Sequence, residues 1–154
     1  MPESGEQLSA DLYARALDEI SSGAEPRPGA RALVARLRAA GLPIAVASNS
    51  PRAHLLAGLR RVGLQDAFDV VLGVDDVPNP KPAPDLYLTA CARLCVSPAA
   101  AIALEDAPPG VAAAQAAGMY VIGIPSVLGV VLGADLVADS LADAAVSRAF
   151  GLVL

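Results

Sequence analysis

The chain has 154 residues and a net charge of −5, with a sequence pI of about 4.7. Hydrophobic residues make up 55% of it, charged residues 18% and aromatic residues 3%. This length suits one domain with an aliphatic core, and an acidic chain without a basic, aromatic-rich patch is not expected to bind nucleic acid. No apolar run approaches the roughly 18 residues of a membrane span, and the polar, acidic N-terminus does not resemble a targeting signal. We therefore expect neither a membrane nor a nucleic acid as partner.

Apolar spacing and Gly/Pro breaks predict helices that alternate with short strands along the chain. Helices are predicted over residues 8–20 (with Ser9 as N-cap), 30–40, 51–62, 84–95 and 108–118, with a last helical turn near the C-terminus. Strands are predicted within residues 42–48, 68–73, 100–106, 119–124 and 134–140. Strands that are apolar throughout and alternate with helices indicate a doubly wound, Rossmann-like α/β fold with a parallel sheet. Ligands of such sheets bind beyond the carboxyl ends of the strands, so we expect polar groups that follow the strands to converge there on one crevice.

The triplet Ser48-Asn49-Ser50 stands where a predicted strand ends and a helix is about to begin. A hydroxyl beside free backbone N–H groups at a helix start can hold an anion, which the helix dipole also favours. Ser and Asn are also preferred N-cap residues. Taken alone, the triplet favours simple capping.

Two adjacent carboxylates, Glu105 and Asp106, end another predicted strand. Neighbouring like charges are unfavourable unless a cation lies between them, and a hard cation with oxygen ligands such as Mg²⁺ would serve. The alternative is that one carboxylate caps the next helix and the other is solvated. Both interpretations remain open from these two residues alone.

Lys81 lies in the segment "VPNPKPAPD", in which every second residue from position 78 to 84 is proline. Proline fixes its own φ and restricts the residue before it, so the segment is stiff and extended. Lysine binds phosphate as a point charge. A stiff backbone around the lysine reduces the conformational entropy that is lost when its ammonium is held in one direction. A proline-rich recognition ligand is the competing interpretation, but predicted core elements flank the segment.

The order of these motifs resembles the haloacid dehalogenase (HAD) superfamily of phosphohydrolases, over essentially the whole chain. "LPIAVASNSP" resembles the second motif of that family, "NPKPAPDLYL" the third and "IALEDAPPGVAAAQAAGMYVIGI" the fourth. The pairing of "KPAPD" with "LED" is similar to the branch with an α-helical cap, which contains β-phosphoglucomutase and sugar-phosphate phosphatases.

The resemblance implies Mg²⁺-dependent phosphoryl transfer on a small phosphorylated metabolite such as a sugar phosphate. Separately, the two cysteines of the chain favour a reducing, cytoplasmic setting. At the positions that match the motifs of the family, Ser48 and Lys81 would be the catalytic residues. Ser48, the backbone around Asn49, and Lys81 would bind the phosphoryl group, and Glu105 and Asp106 would hold Mg²⁺. Such roles are electrostatic, as phosphoryl transfer requires. Substrate identity, phosphatase against mutase activity, and oligomeric state are not implied.

The first motif of the family, a strand that ends in Asp-x-Asp-Gly-Thr, is absent, and no Asp-x-Asp occurs in the chain. The resemblance therefore implies a cap remnant at residues 1–27 and, at 28–154, a core without its nucleophile strand. Losing about five buried aliphatic side chains, at roughly 1.5–3 kcal/mol each, predicts marginal stability unless something replaces that strand. Ala107-Pro108-Pro109 also departs from the family, and its prolines remove N–H donors.

Three hypotheses follow from these motifs. The first is a HAD-type phosphatase or phosphomutase whose N-terminal portion is not in this sequence. The second is a non-catalytic module that binds phosphate or a partner, and the third is an unrelated nucleotide binder, which the lack of a Gly-rich fingerprint disfavours.

His54 is interpreted as a surface or packing residue. Cys91 and Cys95, four residues apart on a predicted helix, are interpreted as inward-facing free thiols in a reducing compartment.

Overall fold

The computed structural model of the protein describes residues 9–10, 27–127 and 129–152. Six strands and five α-helices lie within these residues. The strands are β1 (Ser9–Ala10), β2 (Ala45–Ala47), β3 (Val70–Leu72), β4 (Ile102–Glu105), β5 (Tyr120–Gly123) and β6 (Leu136–Val137). The helices are α1 (Ala30–Ala39), α2 (Arg52–Arg61), α3 (Asp85–Arg93), α4 (Pro108–Ala117) and α5 (Ala144–Ala149), with short 3₁₀ turns at Val74–Asp76 and Pro98–Ala100.

Every strand pair in the described part of the chain is parallel. One sheet has the order β1-β4-β5-β6, and β2 pairs with β3 in a second ladder. Helices connect most successive strands, as a parallel arrangement requires. The predicted doubly wound α/β fold is therefore confirmed.

Side chains alternate along the strands and divide the core between the two faces of the sheet. Ile44, Val46, Ile102 and Leu104 pack with residues of α1, α2 and α5. Ala45, Ala47 and Ala103 pack with α3 and α4. Because successive side chains point to opposite faces, Glu105 continues the face of Ala103 and points toward α3 and α4.

The N-terminal strand corrects one prediction. A helix was expected over residues 8–20, but Ser9 and Ala10 form β1, which pairs in parallel with Ile102 and Ala103 of β4 and also lies against β2. The helix prediction is wrong at these two residues, and the rest of that segment lies outside the described residues. The spacing of apolar residues indicates only a local helix. It cannot show that the segment will instead pair with the edge of a strand elsewhere in the chain. β1 thus lies between the two ladders.

Two glycines end helices as the sequence predicts. Gly41 follows α1 with φ 73°, and Leu42 N–H then donates to Leu37 O at 3.1 Å, which satisfies a carbonyl in the last turn of the helix. Gly118 follows α4 with φ 87°. Both positions require the left-handed conformation that glycine adopts without strain. In the part of the chain that the structure describes, no helix is long and apolar enough to cross a membrane.

The two cysteines differ in environment, which corrects half of the prediction. Both thiols are free, but Cys91 is buried and Cys95 is exposed. Helix α3 ends at Arg93, and Cys95 adopts a left-handed φ of 58° that turns it out of the helix. Burial raises the pKa of the Cys91 thiol to about 11.

This difference predicts selective thiol labelling. The native protein should react with Ellman's reagent at Cys95 alone, because the thiolate is the reactive form and Cys91 stays protonated and covered. In guanidinium chloride both thiols should react. Cys95→Ser should abolish native labelling, and a native reaction at both thiols would contradict the assignment.

Candidate active site

Three segments of the sequence meet beyond the carboxyl ends of the strands. Ser48 follows β2, Lys81 lies in the loop after β3, and Glu105 is the last residue of β4. The Lys81 ammonium donates a hydrogen bond to Ala47 O at 2.9 Å and to Glu105 Oε1 at 2.7 Å. The structure therefore brings together the residues that the sequence singled out, although their chemical roles remain predictions.

Lys81 and Glu105 form a buried ion pair. Lys81 is 8% exposed and Glu105 is 5% exposed. Burial lowers the pKa of the Lys81 ammonium, and the facing Glu105 carboxylate opposes that shift. Burial likewise raises the pKa of Glu105, while the charge and hydrogen bond of Lys81 counteract it. The Lys81 ammonium and the Glu105 carboxylate thus keep their charges in the protein interior because each lies beside the other.

Tyr87 completes the cluster, and the sequence did not point to it. Its side chain is fully buried on α3, and its hydroxyl donates a hydrogen bond to Glu105 Oε1. Its ring centroid lies 4.8 Å from Lys81 Nζ. Burial and the neighbouring Glu105 charge raise the pKa of Tyr87 well above its ordinary value, so the hydroxyl remains a donor. A buried tyrosine normally needs a hydrogen-bond partner, and that requirement was the available signal.

Gly110 makes room for the Glu105 carboxylate. A Cβ atom at this position of α4 would overlap both carboxylate oxygens of Glu105. The carboxylate is therefore enclosed between the start of α4, the ring of Tyr87 and the ammonium of Lys81. Only glycine is compatible with this close approach of helix and side chain.

The structure argues against one of the two interpretations of Ser48, that of a simple N-cap. Pro51 is the N-cap of α2 and caps it with no side-chain hydrogen bond, while the N–H of Arg52 donates to Asp75 Oδ1 at 2.8 Å. The capping interpretation of Ser48 is therefore wrong. Ser48 is 1% exposed, and its Oγ accepts a hydrogen bond from Ser50 N–H at 3.1 Å.

Asn49 is directed at Lys81. Its Oδ1 accepts a hydrogen bond from Lys81 N–H at 2.9 Å, and its Nδ2 donates to Lys81 O at 3.2 Å. The side-chain amide is thus engaged with the backbone of the lysine. Any contribution of Asn49 to anion binding would come from its backbone, which is the role that the family resemblance implies.

Glu105 and Asp106 fit the requirements of Mg²⁺ in part. The N-cap of α4 is Ala107, which makes no side-chain capping bond, so neither Glu105 nor Asp106 is the N-cap residue of that helix. Glu105 Oε1 is occupied by Lys81 and Tyr87, whereas the half-buried Asp106 lies at the strand end. Within the described ranges, no three His, Cys, Asp or Glu side chains cluster as metal ligands. One or two carboxylates, completed by water and substrate oxygens, are what Mg²⁺ commonly uses.

Two further features that the sequence analysis singled out are the prolines after Asp106 and the histidine His54. Pro108 and Pro109 occupy the first positions of α4 and carry no N–H, so that helix start offers fewer donors to an anion. His54 is exposed on α2.

Comparison with known proteins identifies the family. The profile of the haloacid dehalogenase-like hydrolases matches residues 3–118, and the chain belongs to this family. It is 40% identical over 116 residues to a bifunctional riboflavin kinase/FMN phosphatase of Arabidopsis thaliana, an alignment that covers 75% of this chain and 30% of that protein. It is 38% identical over 116 residues to the β-phosphoglucomutase of Bacillus subtilis, covering 75% and 50% respectively.

A solved structure shows the same fold. A HAD family hydrolase of Deinococcus radiodurans, crystallised with bound phosphate and sodium, superposes with a TM-score of 0.77 at 34% identity, covering 88% of this chain and 65% of that one. The chain therefore spans about half or less of the curated relatives named above and under two thirds of this structural neighbour.

The buried ion pair predicts a coupled effect on stability. Glu105→Gln should lower the free energy of unfolding by about 3 kcal/mol, because it removes the opposite charge that contacts the buried Lys81 ammonium. Adding Lys81→Met should recover part of that loss, since the uncompensated charge is removed. Urea denaturation measures both.

Asp66→Asn, at an exposed carboxylate, is the control and should change stability by less than about 0.5 kcal/mol. Strictly additive effects of the Glu105 and Lys81 substitutions would show that the two groups do not interact.

Proposed function

We propose that the chain carries the phosphate-binding and metal-binding part of a Mg²⁺-dependent phosphoryl-transfer hydrolase, a phosphatase or phosphomutase. The substrate would be a small phosphorylated metabolite such as a sugar phosphate. The observation that carries the proposal is the buried Lys81 ammonium, held by Glu105 at a strand end beside Ser48. Membership of the hydrolase family and the names of the phosphatase and mutase relatives support it.

Ser48 and Lys81 would bind the phosphoryl group. Both follow strands that end at the same edge of the sheet, and Lys81 Nζ already lies 2.9 Å from the carbonyl oxygen that precedes Ser48. An ammonium in a partly dry site attracts phosphoryl oxygens more strongly than one in water. The hydroxyl of Ser48 would donate a hydrogen bond to the same group, with backbone N–H groups near Asn49 in support.

Asp106 would be the main protein ligand of Mg²⁺. Glu105 is turned toward Lys81 and Tyr87, so it would contribute its remaining oxygen or act through water. When bound, Mg²⁺ would neutralise charge on the phosphoryl oxygens. In an acidic chain, that neutralisation offsets the repulsion of an anionic substrate.

The sequence favours binding without turnover by this polypeptide alone. No Asp-x-Asp occurs in its 154 residues, so the attacking carboxylate of the family has no counterpart among its motifs. The second candidate function, a non-catalytic module that binds phosphate or a partner, rests on this same observation. The free thiols Cys91 and Cys95 suit a reducing compartment, and we place the protein in the cytoplasm on that basis.

Calorimetry with inorganic phosphate in the presence of MgCl₂ tests the proposal. The wild-type chain should bind phosphate, and Ser48→Ala should weaken binding about tenfold, because a hydrogen bond to a charged group contributes roughly 1.5 kcal/mol. Removal of Mg²⁺ with EDTA should also weaken binding. Ser97→Ala, at an exposed serine, is the matched control and should bind like the wild type.

Hydrolysis of p-nitrophenyl phosphate by the same preparation separates the two candidate functions. We expect phosphate binding without Mg²⁺-dependent turnover. Failure to bind phosphate would refute the proposed site, whereas turnover would show that another group supplies the nucleophile.

A further inference from the structure

Asn49 makes a two-point contact with the backbone of Lys81. Lys81 N–H donates to Asn49 Oδ1 at 2.9 Å, and Asn49 Nδ2 donates to Lys81 O at 3.2 Å. One amide side chain therefore satisfies both polar backbone groups of one residue across 32 positions of sequence. The contact joins the loop after β2 to the loop after β3.

The prolines around Lys81 make this contact important for the position of the lysine backbone. Pro80 and Pro82 flank the lysine and have no N–H, so Lys81 supplies the only backbone donor among these three residues. A proline frame stiffens the segment without fixing its position relative to the sheet. The hydrogen bonds of Asn49 constrain the backbone end of Lys81, as Ala47 O and Glu105 constrain its ammonium end.

We propose that Asn49 is a positioning residue that sets the Lys81 ammonium against the phosphate site by clamping the lysine backbone. The inference rests on the proposed function for its consequence, which is phosphate affinity. Asn49 itself is exposed, so its side chain adds little to the core and its substitution is compatible with folding. The ammonium sits at the other end of the same residue, where Ala47 O and Glu105 Oε1 accept its hydrogen bonds.

The composition of the chain makes the test selective. Lys81 is its only lysine, so ¹⁵N-lysine labelling yields one backbone amide signal and one Nζ signal, both from the residue in question. Asn49 and Asn79 are its only asparagines. Asn79 lies in the same proline segment but donates to Asp85 Oδ2 at 3.2 Å, so Asn79→Ala is a matched control.

Three readouts are compared in the wild type, Asn49→Ala and Asn79→Ala. In Asn49→Ala we expect faster hydrogen exchange of the Lys81 amide, a shifted or broadened Lys81 Nζ signal, and phosphate affinity roughly tenfold weaker in MgCl₂. Asn79→Ala should leave all three unchanged. Asn49→Asp retains the acceptor for Lys81 N–H, so it should keep much of the amide protection.

The outcomes separate the clamp from the proposed function. An unprotected Lys81 amide in the wild type, or an unchanged Nζ signal in Asn49→Ala, would overturn the inference. Unchanged phosphate affinity in Asn49→Ala, with a wild type that binds phosphate, would overturn it as well. If the wild type binds no phosphate but Asn49→Ala shifts the Nζ signal, the proposed function fails and the positioning of Lys81 by Asn49 is supported.

Discussion

The ion pair between Lys81 and Glu105 is the contact on which the described site depends. It joins the loop after β3 to the end of β4, and through Ala47 O it also reaches the end of β2. Two opposite charges in the interior are tolerated only when each has a partner and hydrogen bonds. Because the pair satisfies that condition, three separate segments are held at one edge of the sheet.

The surroundings of the pair follow from the alternation of strand side chains. Glu105 falls on the face that packs against α3 and α4, where three of the strand residues are alanines and leave space. Tyr87 of α3 then reaches the carboxylate from one side, and Gly110 of α4 permits its approach on the other. The alanines on this face thus leave room for the polar cluster, whereas the strand residues on the opposite face are larger aliphatic side chains.

The sequence predicted the parallel sheet and the meeting of Ser48, Lys81 and Glu105, because strand ends in such a sheet share one edge. It could not predict the contacts of Tyr87, Gly110 and Asn49, which depend on how distant segments pack. The helix prediction was wrong at Ser9 and Ala10. These residues pair with the edge of β4, and the helical spacing of apolar residues does not reveal such pairing. Only the observed helix starts showed that the N-cap residues are Pro51 and Ala107 rather than Ser48, Glu105 or Asp106.

Family membership accounts for the shared fold. The phosphate site is a proposal, and it depends on the direction in which the Lys81 ammonium points. The most direct measurement is diffraction from crystals grown with MgCl₂ and inorganic phosphate. The account predicts an oxyanion in contact with Lys81 Nζ and Ser48 Oγ, and a metal ion beside Asp106. An oxyanion bound elsewhere, with the Lys81 ammonium turned away from that edge of the sheet, would contradict it.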